Sequence, residues 1–256
     1  MNELENYYGK FNEDKRLLRR HGQVEYITSM KYIHEYLKPG DHILDIGAGT
    51  GRYSIPLSEE GYEVDAIEFV KFNLGTLKAK GSTVKAYQGT ATDLSRYKDD
   101  TFDLTLIFGP MYHLFTYEDK KKALLEASRV TKKDGTILVA YILNDYSILV
   151  HGFRDGYIKE AMQQGLVDNN FKTHSTIKEL YDYMTLDDID FLTQDVGLER
   201  LKMIAADGPA DYMRPVLKHM DEETFDLFIQ YHLLNCERKE LLGASAHVVD
   251  ILKNTK

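Results

Sequence analysis

The stretch "HILDIGAGTGRYS", residues 42–54, decides how the rest of the chain is read. A short strand, HILDI, runs into Gly47, Gly49 and Gly51 at alternate positions, and a helical pattern follows. Glycines between a strand and a helix let backbone amides approach an anionic or polar ligand. The dinucleotide fingerprint G-x-G-x-x-G would need a glycine at position 52, where Arg52 stands. That departs from a pyrophosphate cradle, and the lack of G-K-[ST] excludes a P-loop. An acidic residue, Glu68, ends the next strand pattern, seventeen residues after Gly51. In an open α/β sheet that position lies beside the glycine loop, where a carboxylate can take both hydroxyls of a ribose. The stretch therefore points to a nucleoside with a ribose diol and no pyrophosphate.

Strands and helices alternate around this loop. Residues 23–38 form a helical pattern stopped by KPG. Residues 52–60 read as a helix closed by Gly61, with Pro56 near its first turn. Residues 62–68 alternate as a strand, 70–80 read as a helix ending at Gly81, and 83–89 and 101–108 read as strands. Thr116 can cap a helix over 117–130, whose Ala123, Leu124, Ala127 and Val130 share one face. Residues 135–143 are apolar enough for a strand buried on both faces. This alternation implies crossover units and a mainly parallel sheet. Asp103, opposite apolar neighbours on its strand, reads as structural.

After residue 143 the rhythm breaks. Residues 144–184 look mostly helical but irregular. Residues 185–197 carry helix marks: Thr185 as N-cap, Asp188 three residues on, and Gly197 as the stop. A strand over 198–206, a helical stretch over 209–240 and a strand over 244–252 follow. Helical spacing turns His232 and Cys236 toward the core. The expected organisation is one domain over 1–256, with a core of about 37–143, 198–205 and 244–253. Helical cap elements at 1–36, 144–184 and 209–240 would fold over one sheet edge.

The chain has 256 residues, 43 % hydrophobic and 29 % charged, within the range of globular proteins and enough for a sizeable core. A lone cysteine, Cys236, excludes an intramolecular disulfide and fits a reducing, cytoplasmic setting. No run of eighteen apolar residues marks a membrane span, and the first residues lack an apolar signal core. The net charge of −9 weighs against nucleic acid and anionic membranes as partners. KRLLRR, residues 15–20, is the one basic patch and reads as a solvated helix face. The nine histidines show no tight ligand spacing, so no metal site is expected.

Four motifs in order at strand ends resemble the class I S-adenosylmethionine-dependent methyltransferases of small-molecule type. LDIGAGTG at 44–51 is similar to the first motif of that family, with Asp45 as its acid. Glu68 matches the ribose-binding acid, GTATDL at 89–94 the segment whose Asp93 holds the adenine amino group, and IFGPMYHL at 107–114 a segment after the fourth strand. The final strand–helix–strand is similar to the family's antiparallel hairpin. The resemblance covers roughly 37–205 and 244–253. It implies an α/β, Rossmann-like, seven-stranded and mainly parallel sheet of order 3-2-1-4-5-7-6, with helices on both faces and helical lid additions. It implies S-adenosyl-L-methionine as cofactor. Gly47, Ala48, Gly49, Gly51 and Arg52 would then form the loop under the methionine part. Asp45 would accept from loop amides or, through water, the cofactor's ammonium. Phe69 and Leu94 would sandwich the adenine unless they are core residues, and Phe108 and Gly109 would lie near the sulfonium.

The acceptor side is less defined. Tyr112 and His113 follow the fourth strand, and one of them is expected to face the methyl group, His113 as base, orienting donor or structural residue. Tyr7, Tyr8 and His21 lie in the N-terminal segment, where related enzymes place lid residues, and Tyr146 and His151 follow the fifth strand. The single proline of GPMY departs from the PP motif of nucleic-acid amino methylation. The reading is methyl transfer to N, O or C of a small-molecule acceptor by in-line displacement, in a monomer or homodimer. Two alternatives stand beside it: a nicotinamide-dependent oxidoreductase, and a non-catalytic S-adenosylmethionine-binding protein.

Overall fold

The structure, a computed structural model, describes residues 19–256. Its centre is a seven-stranded sheet of order β3-β2-β1-β4-β5-β7-β6. The strands are β1 (His42–Ile46), β2 (Glu63–Glu68), β3 (Lys85–Gln88), β4 (Phe102–Ile107), β5 (Thr131–Ile142), β6 (Glu199–Ala205) and β7 (His247–Lys253). The first five are parallel, and β7 runs antiparallel to both β5 and β6. This is the order that the resemblance implied.

Three crossovers are helical and the one from β3 to β4 is not: α1 (Arg20–Tyr36) precedes β1, α2 (Ser54–Glu59) links β1 to β2, α3 (Lys71–Ala79) links β2 to β3, and α4 (Tyr117–Val130) links β4 to β5. The continuous apolar runs of the central strands are buried on both faces: Ile43, Leu44, Ile46, Leu106, Ile107, Ile137, Leu138 and Val139 are fully inaccessible. Burying each such side chain contributes roughly 1.5–3 kcal/mol. Thr116 caps α4 by accepting the Asp119 N–H at 3.1 Å. Asp103 accepts the His42 N–H at 2.9 Å and pairs with Lys132, a structural role.

Past β5 the chain is less helical than its composition suggests. It forms α5 (Asn144–Ser147), a π-helical turn over Ile148–Arg154, and α6 (Ile158–Gln163). It then runs irregularly, fastened by bridges between Val167 and Thr173 and between Leu143 and Met184. Asp168 explains part of this: its carboxylate accepts the N–H groups of Asn170 and Lys172, which competes with helix formation. Helix α7 (Leu186–Val196) carries the expected capping box of Thr185 and Asp188 and ends at Gly197, φ +77°. Residues 209–240 break into α8 (Arg214–Leu217), α9 (Glu222–Asn235), and the start of α10 (Lys239–Leu242). His232 and Cys236 are buried, as their spacing implied. Val24 of α1 joins Ala210, Leu217 and Phe225 in a small core, which clasps α1 to the 209–235 segment. Among the described residues no helix is long and apolar enough to cross a membrane.

Two buried carboxylates fasten the frame. Asp250, in the middle of β7 and fully inaccessible, accepts from Arg200 Nε at 2.6 Å, Arg200 Nη2 at 2.8 Å and Thr193 Oγ1 at 3.0 Å. Asp45, at 1 % exposure, accepts the Ser54 hydroxyl and amide, which pins the first turn of α2 to β1. Its Oδ1 is buried without a hydrogen-bond partner.

Arg200→Met leaves the Asp250 carboxylate uncompensated and is expected to cost about 3 kcal/mol, read as a fall in the denaturation midpoint. Burial pushes the Asp45 carboxyl from 3.8 up to about 6 against the Ser54 hydrogen bonds. The native state therefore holds that proton more tightly than the unfolded chain. The resulting stability is present below about pH 4 and is lost as pH rises past about 6. Asp45→Asn should gain on the wild type by roughly 3 kcal/mol between those limits. Urea denaturation at both pH values measures it, and a constant gap would refute it.

Candidate functional site

The carboxyl ends of β1, β2, β4 and β5 open onto one cavity of about 510 Å³. Its first half is built by the loop after β1. Gly47 has φ +79° and Gly49 φ +56°, conformations that side chains disfavour. A Cβ on Gly47 would lie 2.5 Å from the Pro110 ring, so the loops after β1 and β4 abut only because residue 47 has none. The Gly47 and Ala48 amides both donate to the Ile67 carbonyl, at 2.7 and 3.1 Å. Glu68 completes the clamp. One carboxylate oxygen accepts the Gly49 N–H at 2.8 Å, and the other accepts the Val70 N–H at 2.7 Å.

Gly47, Gly49, Glu68, Phe69 and Phe108 line this half. Gly109, φ +130°, and Pro110 complete it on the β4 side. Phe69 is 40 % exposed, an aromatic face available to a flat ring. The other expected residues of this half lie off the wall. Leu94 is spent in the hydrophobic core, and Gly89, Thr90 and Ala91 supply the wall there instead. Asp93 is exposed, and hydrogen bonds from the Ser95 side chain and from the Ser95 N–H, the latter at 3.0 Å, hold its pKa below the ordinary range. Asp45 lies beneath the loop rather than on its surface. Gly51 allows close packing, since a Cβ there would meet Ile55 at 2.8 Å. Arg52 turns away, its guanidinium 4.1 Å from the centroid of the Tyr26 ring. Ala48 is buried.

The second half lies over β4, β5 and β7. The turn Pro110–His113 brings Tyr112 and His113 to the wall. His113 Nδ1 donates to the Leu180 carbonyl at 2.7 Å. Burial pushes the His113 pKa down, against that hydrogen bond, so its ring is a neutral anchor. The Asp182 amide donates to the Tyr112 carbonyl at 2.7 Å, and Lys120 pairs with Asp182 at 2.7 Å. These contacts bring Leu180, Tyr181 and Tyr183 to the wall beside Tyr146 and His151. Burial pushes Tyr146 up to about 12, so it stays a neutral phenol. His21 lines the cavity from α1, as does Arg19 just before it. Tyr7 and Tyr8 lie outside the described residues.

Several wall residues carried no sequence signal. Asn73 is 3 % exposed with an unpartnered Oδ1. Asp211 and Arg214 pair with each other on the wall. His247, the first residue of β7, lies opposite Ile142 at the end of β5 and reaches the cavity. Its Nδ1 bonds Asp207 Oδ2 at 2.8 Å. Strand periodicity shows 247–253 as a strand but gives no sign that its first residue meets a carboxylate forty positions upstream. Asp207, Glu25 and His247 place donor atoms within 4.8 Å of one another, as do His42, Glu63 and Asp65 at the opposite end of the sheet. Both groups read as hydrogen-bonded clusters: Asp207 spends its oxygens on O–H and N–H donors, and His42 pairs with Asp65 at 2.7 Å.

Residues 44–139 match a family model described as a methyltransferase domain. A demethylmenaquinone methyltransferase from Renibacterium salmoninarum is 38 % identical over 40 % of this chain and 41 % of its own length. A glycine/sarcosine N-methyltransferase from Aphanothece halophytica is 31 % identical over 44 % of each chain. The chain thus spans less than half the length of these curated relatives. A solved S-adenosylmethionine-dependent methyltransferase from Thermotoga maritima superposes with a TM-score of 0.61, at 20 % identity over 97 % of both chains, a likeness of fold. The glycine loop, its acidic clamp and the strand order agree with the methyltransferase-domain model that residues 44–139 match.

Proposed function

We propose that this protein moves a methyl group from S-adenosyl-L-methionine to a small-molecule acceptor. The observation that carries this reading is one continuous cavity with two chemically different halves. A glycine loop clamped by a carboxylate forms one, and tyrosines and histidines form the other. The residues present suit the cofactor. Gly47 and Gly49 leave backbone where side chains would stand, Glu68 offers carboxylate oxygens toward a ribose, and Phe69 offers a ring face. The buried, unpartnered Asn73 Oδ1 adds an acceptor on the same wall.

When bound, the cofactor supplies an already activated methyl group on a sulfonium. The chain's own work is then alignment and exclusion of water. Fixed alignment of two reactants is worth up to about 7–11 kcal/mol. The His113–Leu180 and Tyr112–Asp182 hydrogen bonds hold the acceptor wall in register with the β4 turn. Segments 19–21, 146–151 and 180–183 contribute walls that narrow the access of bulk water to this half.

The acceptor differs in kind between the relatives' names, demethylmenaquinone in one and glycine or sarcosine in another, so it is assigned here only as a small molecule. The acidic net charge supports a partner other than nucleic acid or membrane. We assign the chain to one methyltransferase domain with caps in the described part of 1–36, at 144–184 and at 209–240, acting in the cytoplasm as a monomer or homodimer.

Calorimetry should show micromolar S-adenosylmethionine binding. Glu68→Gln should weaken it roughly 10- to 100-fold, the loss of charge-assisted hydrogen bonds worth about 1.5–3 kcal/mol. Gly47→Ala, which drives a Cβ into Pro110, should abolish it. An absence of heat with the wild type, or wild-type affinity in Gly47→Ala, would sink the reading.

A further inference from the structure

The cavity wall carries an ion pair that the cofactor reading leaves unused. Asp211 and Arg214 both line it, from the segment after β6. Ala210 before them and Leu217 after them are fully inaccessible and pack with Val24 and Phe225. The segment is therefore anchored on both sides of the pair. Asp211 is 3 % exposed and accepts from Arg214 Nε. Its Oδ2 is buried without a hydrogen-bond partner, so Arg214 is the one side chain this carboxylate holds among the described residues.

A guanidinium presents five N–H donors in a planar fork. The Nε bond to Asp211 fixes one edge of the Arg214 fork, and Nη1 and Nη2 make no hydrogen bond among the described residues. The side chain is 47 % exposed. The sheet places it away from the glycine loop, which follows β1, two strands from β5. Tyr146, after β5, lies within reach of its charge: burial raises the phenol's pKa, and Arg214 acts most strongly against that. Asp207 also acts on Tyr146, but it stands off the wall and is engaged by the Ser245 hydroxyl and the Ala246 and His247 amides. The carboxylates on the wall are Glu68 and Asp211, and the guanidiniums are Arg19 and Arg214. Glu68 belongs to the glycine loop that it clamps. The other half of the cavity is thus left with a surplus of positive charge, in a chain whose net charge is −9.

We infer that the acceptor carries an anionic oxygen group, a carboxylate or a phosphate, apart from the atom that takes the methyl group, and that Arg214 binds this group through Nη1 and Nη2. The inference rests on the methyl-transfer reading above and gives it a substrate class. The planar fork matches two oxygens of either anion at once. Asp211 is the positioning residue, since its buried carboxylate sets the direction of the fork. An anchor of this kind fixes the acceptor's orientation at a point remote from the reacting atom, which is how alignment with the methyl group is obtained.

The test follows transfer by the full chain from methyl-labelled S-adenosylmethionine into a protein-free cell extract, with the labelled product isolated and identified by mass spectrometry. The product should contain a carboxylate or a phosphate, and its identity tells the two apart. Arg214→Gln should raise the half-saturating amount of extract roughly 10- to 100-fold, as expected for lost charge-assisted hydrogen bonds, and lower the saturated rate less. Arg214→Lys keeps the charge and the partner for Asp211 but not the fork, and should raise it roughly 3- to 10-fold. That variant decides the matter if Arg214→Gln fails to fold. Calorimetry should find cofactor affinity in both variants within about twofold of wild type, as expected for a group that binds the acceptor. A labelled product with neither anion, an unchanged half-saturating amount in the folded variants, or a tenfold loss of cofactor affinity in them overturns the inference alone. Bound cofactor with no label transferred by the wild type overturns the proposed function and this inference with it.

Discussion

The Pro110 ring occupies the space that a side chain on residue 47 would need, and the rest of the site depends on that contact. It seats the loop after β4 directly on the loop after β1. The Ile67 carbonyl and the Glu68 carboxylate bind the same glycine loop to the end of β2. Three strand ends thus form one corner held by backbone and carboxylate hydrogen bonds rather than by mobile side chains. Such a corner keeps its geometry before a ligand arrives, which is what alignment requires. The turn Pro110–His113 leaves from this corner, so the second half of the cavity inherits its position from the glycine loop.

The remaining walls come from segments far apart in the chain. Arg19 and His21 begin α1, Tyr146 and His151 follow β5, Asp211 and Arg214 follow β6, and His247 opens β7. Arg20 stacks on Phe225 and bonds the Met220 carbonyl, which ties the start of α1 to the start of α9. The largely buried Lys120–Asp182 pair ties the 180–183 segment to α4. Burial holds the Asp182 carboxyl above its ordinary range despite Lys120, so this pair contributes position more than stability. The cavity walls are held by contacts of this kind, each specific to one pair of distant residues.

The sheet was largely legible because its cause is local. Apolar runs such as LTLI and ILVAYI, punctuated by glycines and caps, have few other ways to bury themselves. The Thr185–Asp188 box and the stop at Gly197 were readable for the same reason. The irregular stretch 144–184 was not, because Asp168 and the bridge from Leu143 to Met184 favour loops over the helix that composition suggests. Within the site, a motif located a loop but not the direction of each side chain. Leu94 and Arg52 follow strand ends as wall residues would, yet one turns into the core and the other onto Tyr26. Asp45 belongs to the motif and still lies beneath the surface that the ligand would touch.

The sequence by itself determined the alternation of strands and helices, the glycine loop and the acid that clamps it, since each follows from residues a few positions apart. The half of the cavity around the glycine loop is therefore written in the chain. Only the tertiary structure decided the other half. Asp207 and His247 are forty residues apart, and Tyr112 and Asp182 seventy, and nothing local to any of them records the partner. The first pairing exists because β7 inserts antiparallel between β5 and β6 and delivers its first residue to the cavity. The physical reason is that backbone propensity acts over a few residues, whereas packing and buried charge act across whatever the fold brings together.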